Sequence, residues 1–142
     1  MIVPDVNLLV HTLNRDSPQC ARAGEWWREL LNGDEPVGLP WITVVGVVRI
    51  STNPRIFPSP IALVEVLENV DEWFAQPVVS SIEPGTEHWS IMRRLLAEAG
   101  RGGNLTTDAH LAALCIERGA TLHSADGDFM RFRGLRYENP LR

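Results

Sequence analysis

The sequence predicts an α/β protein, a three-layer α/β/α sandwich around a central, mostly parallel β-sheet. Short apolar, β-branched runs alternate along the chain with longer segments whose apolar residues recur at helical spacing. No tandem repeat or low-complexity segment interrupts this alternation. A chain of 142 residues has the length of one ordinary domain, so we expect residues 1–142 to form a single domain.

The composition is that of a soluble globular protein, with 44% apolar and 22% charged residues. No apolar run is long enough for a membrane helix and no signal-peptide pattern is present, so we expect a cytoplasmic protein. The net charge of −5 argues against a protein that coats nucleic acid by bulk electrostatics. All 13 basic residues are arginine, which excludes chemistries that need a lysine. Cys20 and Cys115 lack metal-ligand spacing and are expected to be buried thiols.

The first strand is predicted in the apolar run Met1–Asn7, which leads into a short helix from Leu8 to Leu13. Asp5 therefore lies at the carboxyl end of a strand. In open α/β sheets ligands bind at that edge. Asp5 is thus a candidate ligand for a metal or a phosphate.

The second helix is predicted to begin at Ser17-Pro18, an N-cap followed by proline at the first helical position, and to end at Gly33. Trp26 and Trp27 are adjacent within it and cannot both face one core. We therefore expect one of these two side chains on a groove or a partner surface.

The middle of the chain contains one ambiguous segment. The β-branched run Ile42–Ile50 favours a strand on propensity. Its neighbours are predicted from clearer signals: a strand at Val37–Pro40, a helix from Ser59-Pro60 to Pro77, a strand at Val78–Ile82 and a helix from Trp89 to Gly100.

The last third contains the most apolar helix, Leu105–Arg118, which is expected to be central and buried. Thr106 or Thr107 is expected to cap it, and Asp108 lies in its first turn. A strand at Ala120–Ser124 and an edge strand at Leu135–Tyr137 are also predicted, with Asp126 and Asp128 between them.

Three aspartates fall at equivalent topological places: Asp5, Asp108 and Asp126. Taken singly, each has an ordinary interpretation as a helix cap, a dipole partner or a turn residue. Because strand ends and helix starts of a parallel sheet share one edge, we expect the three side chains to meet. Carboxylates that close repel one another unless a divalent cation neutralises them. Oxygen ligands favour Mg²⁺ or Mn²⁺ over Zn²⁺.

The segments around these aspartates resemble the acidic motifs of PIN-domain nucleases, and more narrowly those of the VapC toxins of bacterial toxin–antitoxin pairs. The resemblance spans nearly the whole chain and rests on Ile2–Asn7, Asn104–Ala113, Leu122–Phe129 and Tyr137–Pro140. The segment Arg49–Arg55 resembles a subgroup of those toxins.

This resemblance implies a PIN-like fold and a metal-dependent endoribonuclease, the toxin of a type II toxin–antitoxin system. Such a protein is usually dimeric and is held inactive by a VapB-type antitoxin. Asp5, Asp108 and Asp126 would be the catalytic residues and hold one or two Mg²⁺ or Mn²⁺ ions. Hydrolysis would leave 5′-phosphate and 3′-hydroxyl ends. An acidic cleft favours single-stranded or loop RNA over a rigid duplex.

The chain departs from the family pattern at Gly46. Family members commonly carry a glutamate there, in a stretch shaped like Ile-Thr-x-x-Glu, whereas this chain has Ile42–Gly46. The alignment also favours a helix for this segment, against its propensity. Asp128 is the nearest acidic residue that could compensate. The alternative function is a PIN-like module that binds RNA or a partner without catalysis.

Several further residues are candidates for supporting roles. Ser124 and Asn7 are expected to contact the metal ligands or their waters. Arg49, Asn53 and Arg55 are candidates for gripping the RNA backbone, although a surface arginine is more often only solvated.

The four histidines lie on separate elements, and no pair is predicted for acid–base work. A haloacid-dehalogenase-type phosphatase is disfavoured because such enzymes need an aspartate where this chain has Asn7. Large apolar residues around Leu8, Leu13, Trp26 and Leu30 predict an antitoxin-binding groove between the first two helices.

Overall fold

A computed structural model describes all 142 residues of the chain. Its five strands form one sheet in the order β3-β2-β1-β4-β5, and all four neighbouring pairs are parallel. The strands are β1 Ile2–Pro4, β2 Val37–Pro40, β3 Val79–Ile82, β4 Thr121–His123 and β5 Arg136–Glu138. The predicted parallel sheet is therefore confirmed, with the first strand of the sequence at its centre.

Six helices cover the sheet: α1 Val6–Leu13, α2 Cys20–Asn32, α3 Trp41–Ser51, α4 Leu63–Phe74, α5 His88–Ala99 and α6 Leu105–Arg118. A 3₁₀ turn spans Gly127–Arg131. One apolar cluster contains residues of the four helices α1, α2, α3 and α4 and of strands β2 and β3. A second contains residues of α5, α6, β1 and β4. Two separate cores with the sheet between them confirm the three-layer architecture. No helix is both long and apolar enough to cross a membrane.

The ambiguous segment is helix α3. Its buried residues Thr43, Gly46, Val47 and Ser51 recur at three and four residues, the spacing of one helix face. Burial of this face outweighs the β-branched propensity of the run. The Thr43 hydroxyl donates to the Pro4 carbonyl at 3.4 Å, which fixes α3 against the end of β1.

Three predicted helix caps are wrong. Helix α2 begins at Cys20, and the Ser17 hydroxyl instead accepts a hydrogen bond from the Gln19 amide at 3.1 Å in a preceding turn. Helix α4 begins at Leu63, after Ser59-Pro60, and α6 begins at Leu105 with no side-chain cap. A residue before proline is disfavoured in helical conformation, so Ser17-Pro18 and Ser59-Pro60 lie ahead of α2 and α4 rather than within them.

Trp26 and Trp27 are both buried, which corrects the expectation that one would be exposed. Trp27 packs edge-on against Trp73 of α4, with ring centroids 5.6 Å apart. The Trp26 indole donates to His123 Nδ1 at 3.1 Å, so its polar edge is satisfied within the core. Both tryptophans belong to the same apolar cluster.

The antitoxin groove predicted between α1 and α2 is also wrong. Leu8 is 0% exposed and Trp26 is 8% exposed, because both belong to the core below the sheet. Leu13 and Leu30 are half-buried against the same cluster. These large apolar side chains therefore pack in or against the core and do not form a surface groove. Both cysteines are free; Cys115 is buried, as expected, whereas Cys20 is only half-buried.

Candidate metal centre

Two neighbouring strands and one helix bring the three aspartates to the carboxyl edge of the sheet. Asp5 follows β1 and is the N-cap of α1, where it accepts from the Val6 amide at 2.7 Å. Asp126 follows β4, the strand paired with β1, and caps the 3₁₀ turn through a hydrogen bond from the Asp128 amide at 2.8 Å. Asp108 lies in the first turn of α6. Asp5 and Asp126 therefore act as ordinary caps and also lie at the same edge of the sheet.

A buried serine connects the carboxylate of Asp5 to the backbone of Asp126. The Ser124 hydroxyl donates to Asp5 Oδ2 at 2.7 Å and accepts from the Asp126 amide at 3.0 Å. It also accepts from the Asn7 side-chain amide at 3.2 Å, while Asn7 Oδ1 accepts from the Ala125 amide at 3.3 Å. Ser124 is 0% exposed, so its hydroxyl is fixed by these contacts. Both residues expected to support the site therefore contact it.

The carboxylates influence one another electrostatically. The pKa of Asp108 is raised to about 6, chiefly by burial and then by the negative charges of Asp5, Asp126 and Asp128, against the opposing effect of Arg131. Burial also raises the pKa of Asp5, although hydrogen bonds from Ser124 and the Val6 amide oppose the shift. The site therefore contains more negative charge than the protein neutralises.

The three carboxylates share one edge of the sheet, but they do not meet as expected: no three histidine, cysteine, aspartate or glutamate side chains lie close enough together to enclose one ion. Asp108 makes no hydrogen bond to the protein, and Asp126 uses only Oδ1, so carboxylate oxygens remain available. Mg²⁺ commonly retains several waters and binds through one or two carboxylates. An open, negatively charged site therefore suits Mg²⁺ better than a site in which protein ligands enclose the ion completely.

Gly46 occupies a position with no room for a side chain. A Cβ added there would lie 2.7 Å from Val6 Cγ2, closer than such contacts allow. Val6 directly follows Asp5, so the space next to the site is filled by this valine. A carboxylate from α3 is therefore absent. The other candidate, Asp128, is exposed and lines a cavity of about 330 Å³ together with Asp108.

The predicted RNA-binding residues lie outside the acidic cluster. Arg49 is exposed on α3 and Arg55 is exposed on the loop after it. The Asn53 side chain accepts from the Arg55 amide at 2.9 Å, so it stabilises the turn. The loop reaches the site indirectly, because Ile56 and Phe57 line a cavity that also contains Asp5.

Two arginines next to the carboxylates were missed by the sequence interpretation. Arg131 lies 3.6 Å from Asp128 Oδ1, and Arg101 lines the cavity that contains Asp108 and Asp128. The spacing of Arg131, three residues after Asp128 in the 3₁₀ turn, was the only local signal. Arg101 lies in a glycine-rich loop whose path could not be inferred from sequence.

Two histidines expected on unrelated elements are in contact. His88 Nε2 and His110 Nδ1 are 2.9 Å apart and link α5 to α6. His11 contacts the Ser17 hydroxyl, and His123 accepts from Trp26. The four histidines therefore lie on four separate elements, as predicted, although no sequence signal indicated that His88 and His110 would be in contact.

Comparison with known proteins identifies the family. Residues 2–135 match the PIN domain family. The chain is 39% identical over 142 residues to "Ribonuclease VapC33" of Mycobacterium tuberculosis, covering 100% of this chain and 99% of that protein. It is 35% identical over 140 residues to "Ribonuclease VapC37" of the same organism, covering 99% and 97%.

Solved structures show the same fold at low sequence identity. VapBC2 from Rickettsia felis, bound to a promoter DNA fragment, matches with a TM-score of 0.71 and 17% identity over 98% of both chains. Mycobacterium tuberculosis VapC20, described as a sarcin-ricin loop cleaving toxin, matches with a TM-score of 0.68 and 15% identity, covering 96% of this chain and 99% of that one. The chain belongs to the PIN-domain family and, within it, to the VapC ribonucleases.

Proposed function

We propose that the protein is the toxin of a type II toxin–antitoxin pair and a Mg²⁺- or Mn²⁺-dependent endoribonuclease. The observation that carries this proposal is the gathering of Asp5, Asp108 and Asp126 at one edge, with the pKa of Asp108 raised to about 6. Uncompensated carboxylates of this kind are a feature of functional sites. The ribonuclease names of full-length relatives support the same activity.

Each residue has a role that follows from its contacts. Asp5, Asp108 and Asp126 would hold the cation, and Ser124 with Asn7 would keep Asp5 and Asp126 in place. When bound, Mg²⁺ or Mn²⁺ would lower the pKa of an attacking water and neutralise charge on the phosphate. Asp128 is the additional carboxylate nearest to this set.

Arginines around the carboxylates would orient the RNA. Arg101 lines the cavity containing Asp108 and Asp128, and Arg131 lies 3.6 Å from Asp128 Oδ1, so both would bind phosphates beside the cleaved bond. Arg49 and Arg55 are farther from the carboxylates and would contact more distant phosphates.

RNA cleavage tests the proposal directly. Wild type should cut single-stranded RNA in Mg²⁺ or Mn²⁺ and stop in EDTA, while Asp108→Asn should lose at least about 100-fold in rate because a charged ligand is removed. Asp71→Asn changes an exposed aspartate of α4 in the same way and serves as the matched control. If RNA stays equally intact with wild type and with Asp108→Asn in both metals, the proposed endoribonuclease activity is wrong.

A non-catalytic PIN-like module is the second candidate, and the packing of Val6 against Gly46 is the observation that favours it. Without a carboxylate from α3, one cation rather than two would bind. RNA that binds tightly but stays intact in the cleavage assay would support this alternative.

We also infer two protein partners. Structural neighbours include VapBC and FitAB toxin–antitoxin assemblies, which supports a VapB-type antitoxin.

A second copy of the chain is the occupant we infer for the exposed apolar residues on α3 and α4: Trp41, Val45, Leu63, Val64 and Leu67. Sedimentation should give a dimer that Val45→Glu dissociates, and a monomeric wild type would refute the inference.

A further inference from the structure

A cavity of about 380 Å³ is lined by Asp5, by residues of α1, by the end of α3 and by the loop after it. Asp5 is the only one of the three proposed metal ligands that lines it. Its volume is in the range of pockets that bind small organic groups. The cavity therefore differs from the acidic site in its lining residues, but the two share Asp5.

The walls of the cavity are apolar and fixed by the backbone. Val10 of α1, Ile50 of α3 and Phe57 of the following loop provide flat or branched hydrocarbon surfaces. The Ile56 and Phe57 amides donate to the Asn53 carbonyl at 3.1 and 2.9 Å, which holds the loop in position. Ile56 is nevertheless 49% exposed, so an apolar side chain faces the opening without a partner.

Two polar side chains face this cavity with hydrogen-bonding atoms to spare. His11 Nδ1 contacts the Ser17 hydroxyl at 2.7 Å, and its Nε2 has no partner in the protein. Asn14 Oδ1 accepts from the Asp16 amide at 3.1 Å, while its Nδ2 donates to no protein atom. The cavity thus combines apolar walls with a hydrogen-bonding edge.

We propose that this cavity binds one unstacked nucleobase of the RNA substrate, from a nucleotide next to the phosphodiester at Asp5. The proposal rests on the proposed ribonuclease function. A base has apolar faces and a polar edge, so it complements the walls and can pair with His11 Nε2 and Asn14 Nδ2. An apolar side chain of a protein partner would bury those two atoms unpaired, which costs free energy. Because Asp5 lines the cavity, a base bound there would lie next to the strand being cut.

The sequence preference of cleavage tests this site. A pool of single-stranded RNA with random sequence is cut, and the ends are sequenced. Wild type should prefer one base, or one class of bases, at a fixed position beside the cut. Ile56→Ala should weaken this preference about five- to tenfold because it removes half-buried apolar contact. Asn14→Ala should change which base is preferred, whereas Trp89→Ala, at an exposed residue of α5, should change nothing.

A binding measurement separates this proposal from the nuclease function. Uncharged nucleosides need neither metal nor catalysis, so they can be titrated against the intact protein by ¹H–¹⁵N NMR. Shifts should be confined to Asn14, Ile56 and Phe57 and should shrink in Ile56→Ala. Absence of these shifts, or shifts elsewhere, overturns the proposal even if RNA is cut. If RNA is not cut but the shifts occur, the nuclease proposal fails and the nucleobase site stands. If Ile56→Ala weakens antitoxin binding and leaves base preference unchanged, the cavity is a peptide site and the proposal is wrong.

Discussion

Replacing Asp108 by asparagine should stabilise the metal-free protein at neutral and alkaline pH. The raised pKa means that the folded state disfavours the charged carboxylate more than the unfolded chain does. Asparagine has nearly the same shape without the charge. The variant therefore removes a repulsion that the wild-type protein tolerates at its candidate site.

The magnitude follows from the pKa. A rise from 3.8 to about 6 corresponds to at most about 3 kcal/mol between the two protonation states. Because Asp108 is only partly buried, solvent screening reduces this to roughly 1.5 kcal/mol. Loss of the favourable interaction with the helix dipole subtracts about 0.5 kcal/mol. We expect a net gain of about 1 kcal/mol, or roughly 3 °C in Tm for a domain of this size.

The pH dependence identifies the cause. Between about pH 4 and 6 the folded state binds the Asp108 proton more tightly than the unfolded chain, so wild-type stability from this group falls as pH rises. The advantage of Asp108→Asn should therefore be full at pH 8 and vanish near pH 4. Urea denaturation in EDTA at both pH values measures it, with Asp71→Asn as control. No gain at pH 8, or an equal gain at both pH values, would refute the electrostatic coupling.

Three further predictions concern neighbours of the site. Ser124→Ala should lower the free energy of unfolding by about 1–3 kcal/mol in urea denaturation, because Asp5 loses a buried hydrogen-bond donor. Gly46→Glu should destabilise the fold by at least about 1–3 kcal/mol rather than add a metal ligand, because its Cβ overlaps Val6. Adding Val6→Ala should restore part of the lost stability. An unchanged Tm for Gly46→Glu alone would contradict this prediction. Trp26→Ala should cost about 3–5 kcal/mol as a core cavity, and full stability with only antitoxin binding lost would restore the groove hypothesis.

The sequence was sufficient for the order of elements and for the placement of the acidic residues. Each depends on local signals: periodicity marks the helices, and an aspartate after a strand or at a helix start lies at one edge of a parallel sheet. Helix α6 was predicted with its observed bounds, Leu105–Arg118, because its apolar pattern is nearly continuous. Asp5 and Asp126 lie on adjacent strands as the topology requires.

Tertiary packing decided what the sequence could not. Residue propensity favours a strand for the β-branched segment of α3; only the family resemblance predicted a helix there, and burial of one face stabilises it. Trp26 is satisfied by His123, 97 residues away, a contact no local pattern encodes. The same limit hid Arg101, because its position depends on how a loop packs beside α6.

The most direct test of the metal centre is a crystal structure of the protein soaked in Mn²⁺, analysed by anomalous scattering. We expect one strong peak bounded by Asp5, Asp108 and Asp126, with carboxylate oxygens about 2.0–2.2 Å from the ion and waters completing its shell. A peak at another surface, or none at this edge under conditions in which RNA is cut, would contradict it.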